Sequence, residues 1–493
     1  MEYRIGIDIG TTSTKGVLYN KQLAVVEAAV ESYPTLRAVE GMAEQDPEHI
    51  VGAVISVIQQ LLQNNEDIRK QVKSVSFSSA MHSTLLLSSE GKPLGPVYTW
   101  ADNRSNDVLE TIRHEGDLHW VYERTGTPIH SMSPFSKLLW LKKISPELLL
   151  EAEHIVGIKE YVMFLFTGEW KIDYSIASAT GLFNLQTLDW DRDILEFIGL
   201  DRESFSAPVD TNYVYTQSLE GMYDKAGLSL DTVLVIGASD GCLANLGLNA
   251  VGLNEVAMTI GTSGALRMVT DQIILDPKGR LFCYYLSKNR WVVGGAVNNG
   301  GNAFQWLADV LSLNYEQLNK LAEEVDPGSD GLMFYPYLNG ERAPLWDGSV
   351  KAQFIGIDAI HSKGHFVRAL MEGVLYNLAE VLEILEKSSE KSRCIKVTGG
   401  YLRSSLWKQM TADIFNKQII LSKQFESSCL GAVLIGELDN ESQLRSDSAE
   451  ESIIEPDADR VQMYGELFEL YQKLSVPLKE MQRIRQGYLI NNQ

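Results

Sequence analysis

Two rhythms of apolar residues run through this chain. Runs and alternations of four to seven apolar positions, bounded by glycine, asparagine or serine, predict strands. Returns every three or four positions predict helices. Strand-like segments fall at residues 4–9, 16–19, 72–77, 232–236 and 394–397, and 281–295 reads as a hairpin turning at Lys288-Asn289. A helix is predicted over 46–63, with Asp46 as N-cap and Pro47 first in the helix. Its apolar face is Val51, Val54, Ile55, Ile58, Leu61 and Leu62. A longer helix is predicted over 364–387. Its apolar positions wrap much of its surface, so it should lie buried between a sheet and another element. A further helix begins near Ser404-Ser405, and 457–482 is helical by pattern. Residues 437–456, acidic and serine-rich, read as a surface loop. Strands alternating with helices place the chain in the α/β class.

The first strand carries one acid, Asp8, and runs into Gly10-Thr11-Thr12-Ser13 before Lys15 and a second strand. Glycine lets a backbone approach closely, and successive N–H groups in such a turn form an anion-binding concavity. The hydroxyls of Thr11, Thr12 and Ser13 and the Lys15 ammonium add donors. A carboxylate at Asp8 is placed to hold the water shell of Mg²⁺. An ordinary tight turn with Asp8 as turn former is the plainer alternative.

The same pattern returns at Ile260-Gly261-Thr262-Ser263, about half a chain later. That separation predicts two domains of related design, each offering a phosphate loop. Thr259 stands near the second loop where the first has its acid, so the metal-binding role falls to the first. The small residues 245–254 predict a flexible connection, dividing the chain into 1–246 and 247–493.

The 493 residues allow two substantial domains, and 45% apolar with 22% charged content is ordinary globular composition. A net charge of −22 excludes nucleic acid and anionic membrane as partners. Four scattered cysteines, no leader-like start and no apolar run of about twenty residues predict a soluble cytoplasmic protein.

Six motifs in order resemble the FGGY family of carbohydrate kinases. They are Asp8-Ile9-Gly10-Thr11-Thr12, the 132–140 stretch Met-Ser-Pro-Phe-Ser-Lys-Leu-Leu-Trp, Gly261-Thr262-Ser263, Gly340-Glu341-Arg342-Ala343-Pro344, Gly356-Ile357-Asp358 and Thr398-Gly399-Gly400. The resemblance covers roughly residues 3–440. It implies two ribonuclease-H-like domains of the actin-like ATPase type flanking a catalytic cleft. It also implies ATP and Mg²⁺ as cofactors.

Asp240 follows a buried strand, where open α/β sheets place ligands. By resemblance it is the catalytic base and a second acid near the metal; by position alone a helix cap is the favoured reading. By resemblance Gly261 and Thr262 serve the outer phosphates, Gly301 and Gln305 the nucleotide, Gly400 the adenosine and Ser404 the base. The sugar side is Met81-His82 with Trp100, Asp102, Asn103 and Arg104: one apolar ring face among donors and acceptors. The strings Ala-Met-His-Ser and Trp-Ala-Asp-Asn-Arg-Ser look most similar to gluconate-phosphorylating members. This implies a sugar acid as small-molecule partner, D-gluconate phosphorylated at its 6-hydroxyl, with Arg104 as carboxylate fork. Xylulose or another pentulose or polyol is the alternative, and a non-catalytic ATP-dependent clamp is the alternative of another class. Lys159 reads either as a second substrate cation or as a solvated surface lysine. A homodimer is one option for the assembly.

Overall fold

The computed structural model describes residues 2–63, 66–115, 117–422, 426–437 and 452–490. In the first half, β1 (Tyr3–Ile9) turns back on β2 (Ser13–Asn20), and β2 pairs with the edge strand β3 (Val25–Ser32). On its other side β1 runs parallel to β4 (Val72–Ser79), and β4 to β5 (Val233–Ser239), giving the order β5-β4-β1-β2-β3. The first predicted helix is α1 (Pro47–Leu62), capped by the Asp46 carboxylate accepting from the Glu48 N–H. It buries Ile50, Val51, Val54, Val57, Ile58 and Leu61 against this sheet. Ile55, expected in that stripe, is only half-buried, because the stripe follows positions 50, 54, 57 and 61.

After β5 comes α2 (Asp240–Gly247), and the second half then repeats the opening hairpin. There β6 (Glu255–Ile260) pairs antiparallel with β7 (Gly264–Thr270). The predicted hairpin turning at Lys288-Asn289 is β8 (Phe282–Ser287) with β9 (Arg290–Val297), and β9 lies beside β7. β6 is also parallel to β10 (Cys394–Thr398), which is followed outward by β11 (Gln418–Leu421) and β12 (Ser452–Ile454). Three helices accompany this sheet: α3 (Gly301–Leu311), α4 (Lys363–Ser388) and α5 (Ser405–Phe415). As its wrapped pattern predicts, α4 is buried through most of its length.

Two sequence expectations meet a different outcome. Residues 245–252 are not an open linker. Asn245 and Gly247 close α2, and Asn245, Leu246, Leu248 and Ala250 are all buried. The Asn245 side-chain amide donates to the Ala250 and Arg267 carbonyls, each at 3.3 Å. Smallness serves close packing here: α2 lies against α6 (Ser427–Gly436), and Cys242, Leu243 and Leu246 share a core with Cys429, Leu430 and Val433. α6 comes from the second half of the sequence yet packs on the first sheet. At Gly6 a Cβ would run into the Cys429 carbonyl. In the expected 437–456 loop, residues 438–451 lie outside the described residues, while Ser452–Ile454 is the strand β12, paired with β11. The last predicted helix is α7 (Ala458–Ile490), longer than its pattern indicated. Among the described residues no helix is long and apolar enough to cross a membrane.

Candidate active site

The parallel strands β1, β4 and β5 end side by side, and their C-terminal ends carry the acids. Asp8 on β1 lies opposite Ser78 on β4, and Ser78 lies opposite Ala238 on β5. The Ser78 hydroxyl donates to Asp8 Oδ1 at 2.7 Å. Burial, then the nearby Asp240 charge, push the Asp8 carboxyl up to about 7. Asp240 is the first residue of α2, and the cap is its neighbour: the Ser239 hydroxyl accepts from the Cys242 N–H at 3.4 Å. The cap reading therefore belongs one residue earlier, and the Asp240 carboxylate is left for other work. One of its oxygens accepts from the Gly241 N–H at 2.7 Å. Burial raises its pKa, opposed first by Arg267, then by that N–H, Arg342 and Lys159.

Lys159 is neither solvated nor in the cavity lining. It is 2% exposed, with Nζ 2.6 Å from Asp173 and 3.2 Å from the Ala238 carbonyl, two residues before Asp240. Burial lowers its pKa. A buried ammonium needs a paired carboxylate, which one sequence read alone does not locate.

A cavity of about 200 Å³ opens beside Asp240. Met81, His82 and Trp100 line it from the first half, as the sequence predicts. His82 holds φ +67°, a left-handed backbone uncommon for a residue with a Cβ. Its Nδ1 lies 2.7 Å from the Ala179 carbonyl, which only accepts, so Nδ1 carries the proton and Nε2 is an acceptor. Burial pushes His82 down to about 3, so the ring is neutral. The Trp100 indole N–H donates to the Thr11 hydroxyl at 2.8 Å, tying the sugar-side ring to the first loop.

Asp102, Asn103 and Arg104 lie outside this lining. Asp102 is 1% exposed and accepts from the Ala43 N–H at 2.9 Å and from Arg104 Nη2 at 2.7 Å. A second Arg104 contact reaches Glu44 at 2.6 Å, and its guanidinium stacks 4.6 Å from the Trp140 ring centre. Asn103 accepts from the Ser131 hydroxyl at 2.9 Å. The expected carboxylate fork at Arg104 is thus already held between two acids. Two other arginines line the cavity, Arg267 on β7 and Arg342 in the Gly340 motif. The signal for Arg267 was a lone charge inside an otherwise apolar strand; Arg342 was visible only as part of a motif.

The residues expected on the nucleotide side lie on the two loops, at the start of α3 and between β10 and α5. The two loops close alike: the Gly10 N–H donates to the Ser13 carbonyl at 3.0 Å, and the Gly261 N–H to the Ser263 carbonyl at 2.9 Å. The start of α3 is bound to the second loop, Gly301 N–H to Gly261 at 2.7 Å and Asn302 N–H to Thr262 at 3.1 Å. Thr12, Gly261, Thr262 and Gly400 are exposed and Ser13 is half-buried. Gly399 holds φ +123°, where a Cβ would strike the Ile260 carbonyl. Ser404 caps α5, accepting from the Trp407 N–H at 3.2 Å. Gln305 is exposed and donates to Asp309 at 2.7 Å. Lys15 pairs with Glu426 at 2.9 Å.

Comparison with known proteins agrees with this arrangement. The pattern for the FGGY family of carbohydrate kinases, N-terminal domain, matches residues 3–247, and that for the C-terminal domain matches residues 256–438. Gluconokinase from Bacillus subtilis (strain 168) is 44% identical over 447 residues, covering 88% of this chain and 87% of that protein. The crystal structure of gluconate kinase from Lactobacillus acidophilus superposes with a TM-score of 0.93 at 35% identity, covering 97% and 98% of the two chains. Ligand-bound xylulose kinase from the same organism gives 0.94 at 34% identity, covering 97% and 99%. A fold of two hairpin-led sheets around a shared cavity, matched by both domain patterns, places this chain in the FGGY family of carbohydrate kinases.

Proposed function

We propose that this chain is a cytoplasmic kinase that transfers the γ-phosphoryl group of ATP to the 6-hydroxyl of D-gluconate. The observation that carries it is Asp240: a half-buried carboxylate directly after a strand end, on the same cavity as Met81, His82 and Trp100. The two FGGY relatives of equal fold similarity name different sugars, so the fold does not choose between them. The higher sequence identity to gluconokinase, and two arginines in the lining, favour the acid.

Asp240 accepts the proton of the attacking hydroxyl as the new O–P bond forms and ADP leaves. Its raised pKa makes it a better base than an exposed aspartate. The start of α2 and the arginines favour its ionised form, in opposition to the desolvation that raises its pKa. The neutral His82 supplies an acceptor to a substrate hydroxyl, and Trp100 an apolar face to C–H groups. The sugar-side residues Met81, His82, Trp100 and Asp240 fall within residues 1–246, and the two arginines of the lining within 247–493. Nucleotide contacts fall on the first loop (Thr11, Thr12, Ser13, Lys15) and, in 247–493, on Gly261, Thr262, Gly301, Gln305, Gly400 and Ser404.

Asp8 and Asp240 suit Mg²⁺: two hard oxygen donors, with the Asp8 pKa raised by the Asp240 charge, that a cation between them would relieve. No group of three or more candidate ligands exists among the described residues, so the ion would keep water ligands, with Asp8 acting through water. Mg²⁺ would supply charge neutralisation on the phosphates. All four cysteines are buried free thiols, which suits a reducing compartment.

A panel of gluconate, xylulose, glycerol and no sugar, with coupled ADP detection, tests the reading. Gluconate should give the highest kcat/KM. Preference for xylulose would move the assignment within the family, and slow ATP turnover indifferent to sugar would replace it with a clamp.

A further inference from the structure

The cavity holds more positive charge than the reaction at Asp240 requires. Arg267 reaches it from β7 and Arg342 from the Gly340 motif. Nε and Nη1 of Arg267 and Nε of Arg342 are buried without a hydrogen-bond partner. Among the described residues neither guanidinium has a carboxylate within ion-pair distance, whereas Arg104 has two. Arg342 is 9% exposed, gives one N–H to the Val297 carbonyl at 3.1 Å and lies 4.7 Å above the Trp100 ring centre. A Cβ at Gly241 would sit 3.1 Å from both Arg267 Nε and Met81 Cε, so Arg267 also borders the sugar-side wall. Burial lowers the Arg342 pKa, and the neighbouring Arg267 charge acts in the same direction.

Guanidinium N–H groups on a cavity wall with no protein acceptor are donors ready for an anion. Asp240 offsets part of the charge and is itself committed to the hydroxyl. The anion that enters this end of the cavity must be small, planar or forked, and attached to a polyhydroxy chain lying on Trp100. We propose that Arg267 and Arg342 together bind the carboxylate of the sugar-acid substrate and so determine the preference for an acid over a neutral sugar. This rests on the reading of the chain as a gluconate kinase and replaces Arg104 as the carboxylate partner. Both arginines come from the second half, and Met81, His82, Trp100 and Asp240 come from the first. The acid substrate therefore joins the two walls.

The test measures kcat/KM at saturating Mg²⁺-ATP for D-gluconate and for D-gluconamide, which exchanges the carboxylate for a neutral amide. The intact enzyme should favour gluconate by about a hundredfold, as expected for charge-assisted hydrogen bonds to a pair of arginines on a cavity wall. Arg267→Met and Arg342→Met should each lose at least about tenfold more on gluconate than on gluconamide, mainly in KM. If the intact enzyme uses both substrates equally, the sugar-acid reading fails and this inference with it. If the intact enzyme favours gluconate and Arg267→Met keeps that preference, the inference alone fails. It fails equally if both substrates lose alike in kcat, because Arg267 would then serve the transferring phosphoryl group. Should Arg267→Met not melt as a folded protein, Arg267→Lys takes its place. That variant keeps the charge without the fork and should lose preference by an intermediate factor, while an unchanged preference overturns the proposal.

Discussion

The opening hairpins of the two halves share a plan and differ in charge. In the first, Asp8 pairs across β1–β2 with Lys15 and Ile9 with Thr14; in the second, Thr259 pairs with Ala265 and Ile260 with Gly264. Each leading strand is also parallel to a later one, Asp8 lying opposite Ser78 and Thr259 opposite Thr398. With Gly10 set on Gly261, Asp8 falls on Thr259 and Gly16 on Arg267. Gly16 is roofed by Val57 and Leu61 of α1, so no side chain fits there. The corresponding position of the second hairpin borders the cavity and carries a guanidinium. One backbone design thus supplies an acid from the first half and a base from the second. The cavity is lined from both copies, by Thr11 of the first and by Thr259, Gly264 and Arg267 of the second.

The sharpest way to break this picture is at Asp240, which belongs to neither hairpin but stands between them. Asp240→Asn keeps the shape and removes the proton acceptor. Turnover should fall by about a hundredfold or more, with ATP affinity by calorimetry within a few-fold of the original. Near-normal turnover would remove Asp240 from the chemistry.

Asp8→Asn should separate the first hairpin from the second. We expect about a tenfold or larger rise in the Mg²⁺ concentration needed for half-maximal rate, and little change in sugar affinity. The pH dependence has a definite sign. The folded pKa of Asp8, about 7, lies above its unfolded value, so the ligand-free fold binds the extra proton. The resulting contribution is fully present at acid pH and is lost as pH rises toward and through 7. Without ligands, Asp8→Asn should therefore gain melting temperature relative to the parent at pH 8, and much less at pH 4. With Mg²⁺-ATP present the order should invert, because the parent alone then has a cation on its ionised Asp8. Parallel melting curves at both pH values would refute the buried-acid account.

Moving the acid gives a smaller effect. Thr259→Asp places a carboxylate at the second loop, beside Gly261 and Thr262, the proposed phosphate contacts. Repulsion should weaken ATP binding by a few-fold, and the change should not rescue Asp8→Asn. Rescue would mean the two hairpins are interchangeable.

The smallest expected effect is at Arg104, whose contacts are Asp102, Glu44 and Trp140. Arg104→Lys should lower stability by about 1 kcal/mol through loss of the two-pronged contact. It should reduce gluconate and gluconamide turnover by the same factor. A selective loss on gluconate would return the carboxylate to Arg104.

Local features were legible before the fold was known. The alternation at 4–19, the cap at Asp46, the wrapped apolar pattern of α4 and the repeated Gly-Thr turns are all set by residues within a few positions of one another. Covalent geometry, capping and side-chain periodicity act over that range, so the sequence alone determined these elements and the likeness of the two loops. Met81, His82, Trp100 and Asp240, each close behind a strand or in a motif, line one cavity. What the tertiary structure alone decided is which charges meet. Lys159 looked free until Asp173 was folded beside it, and Arg104 looked available until Glu44 and Asp102 closed on it. Arg267 and Arg342 are 75 residues apart in sequence and reach one cavity only because β7 and the Gly340 motif converge there. The small residues at 245–252 read as flexible because smallness by itself does not distinguish a hinge from a close helix contact. Pairing and burial of charge depend on contacts between distant segments, and a charge's role is fixed by which counter-charge those contacts bring within a few ångströms.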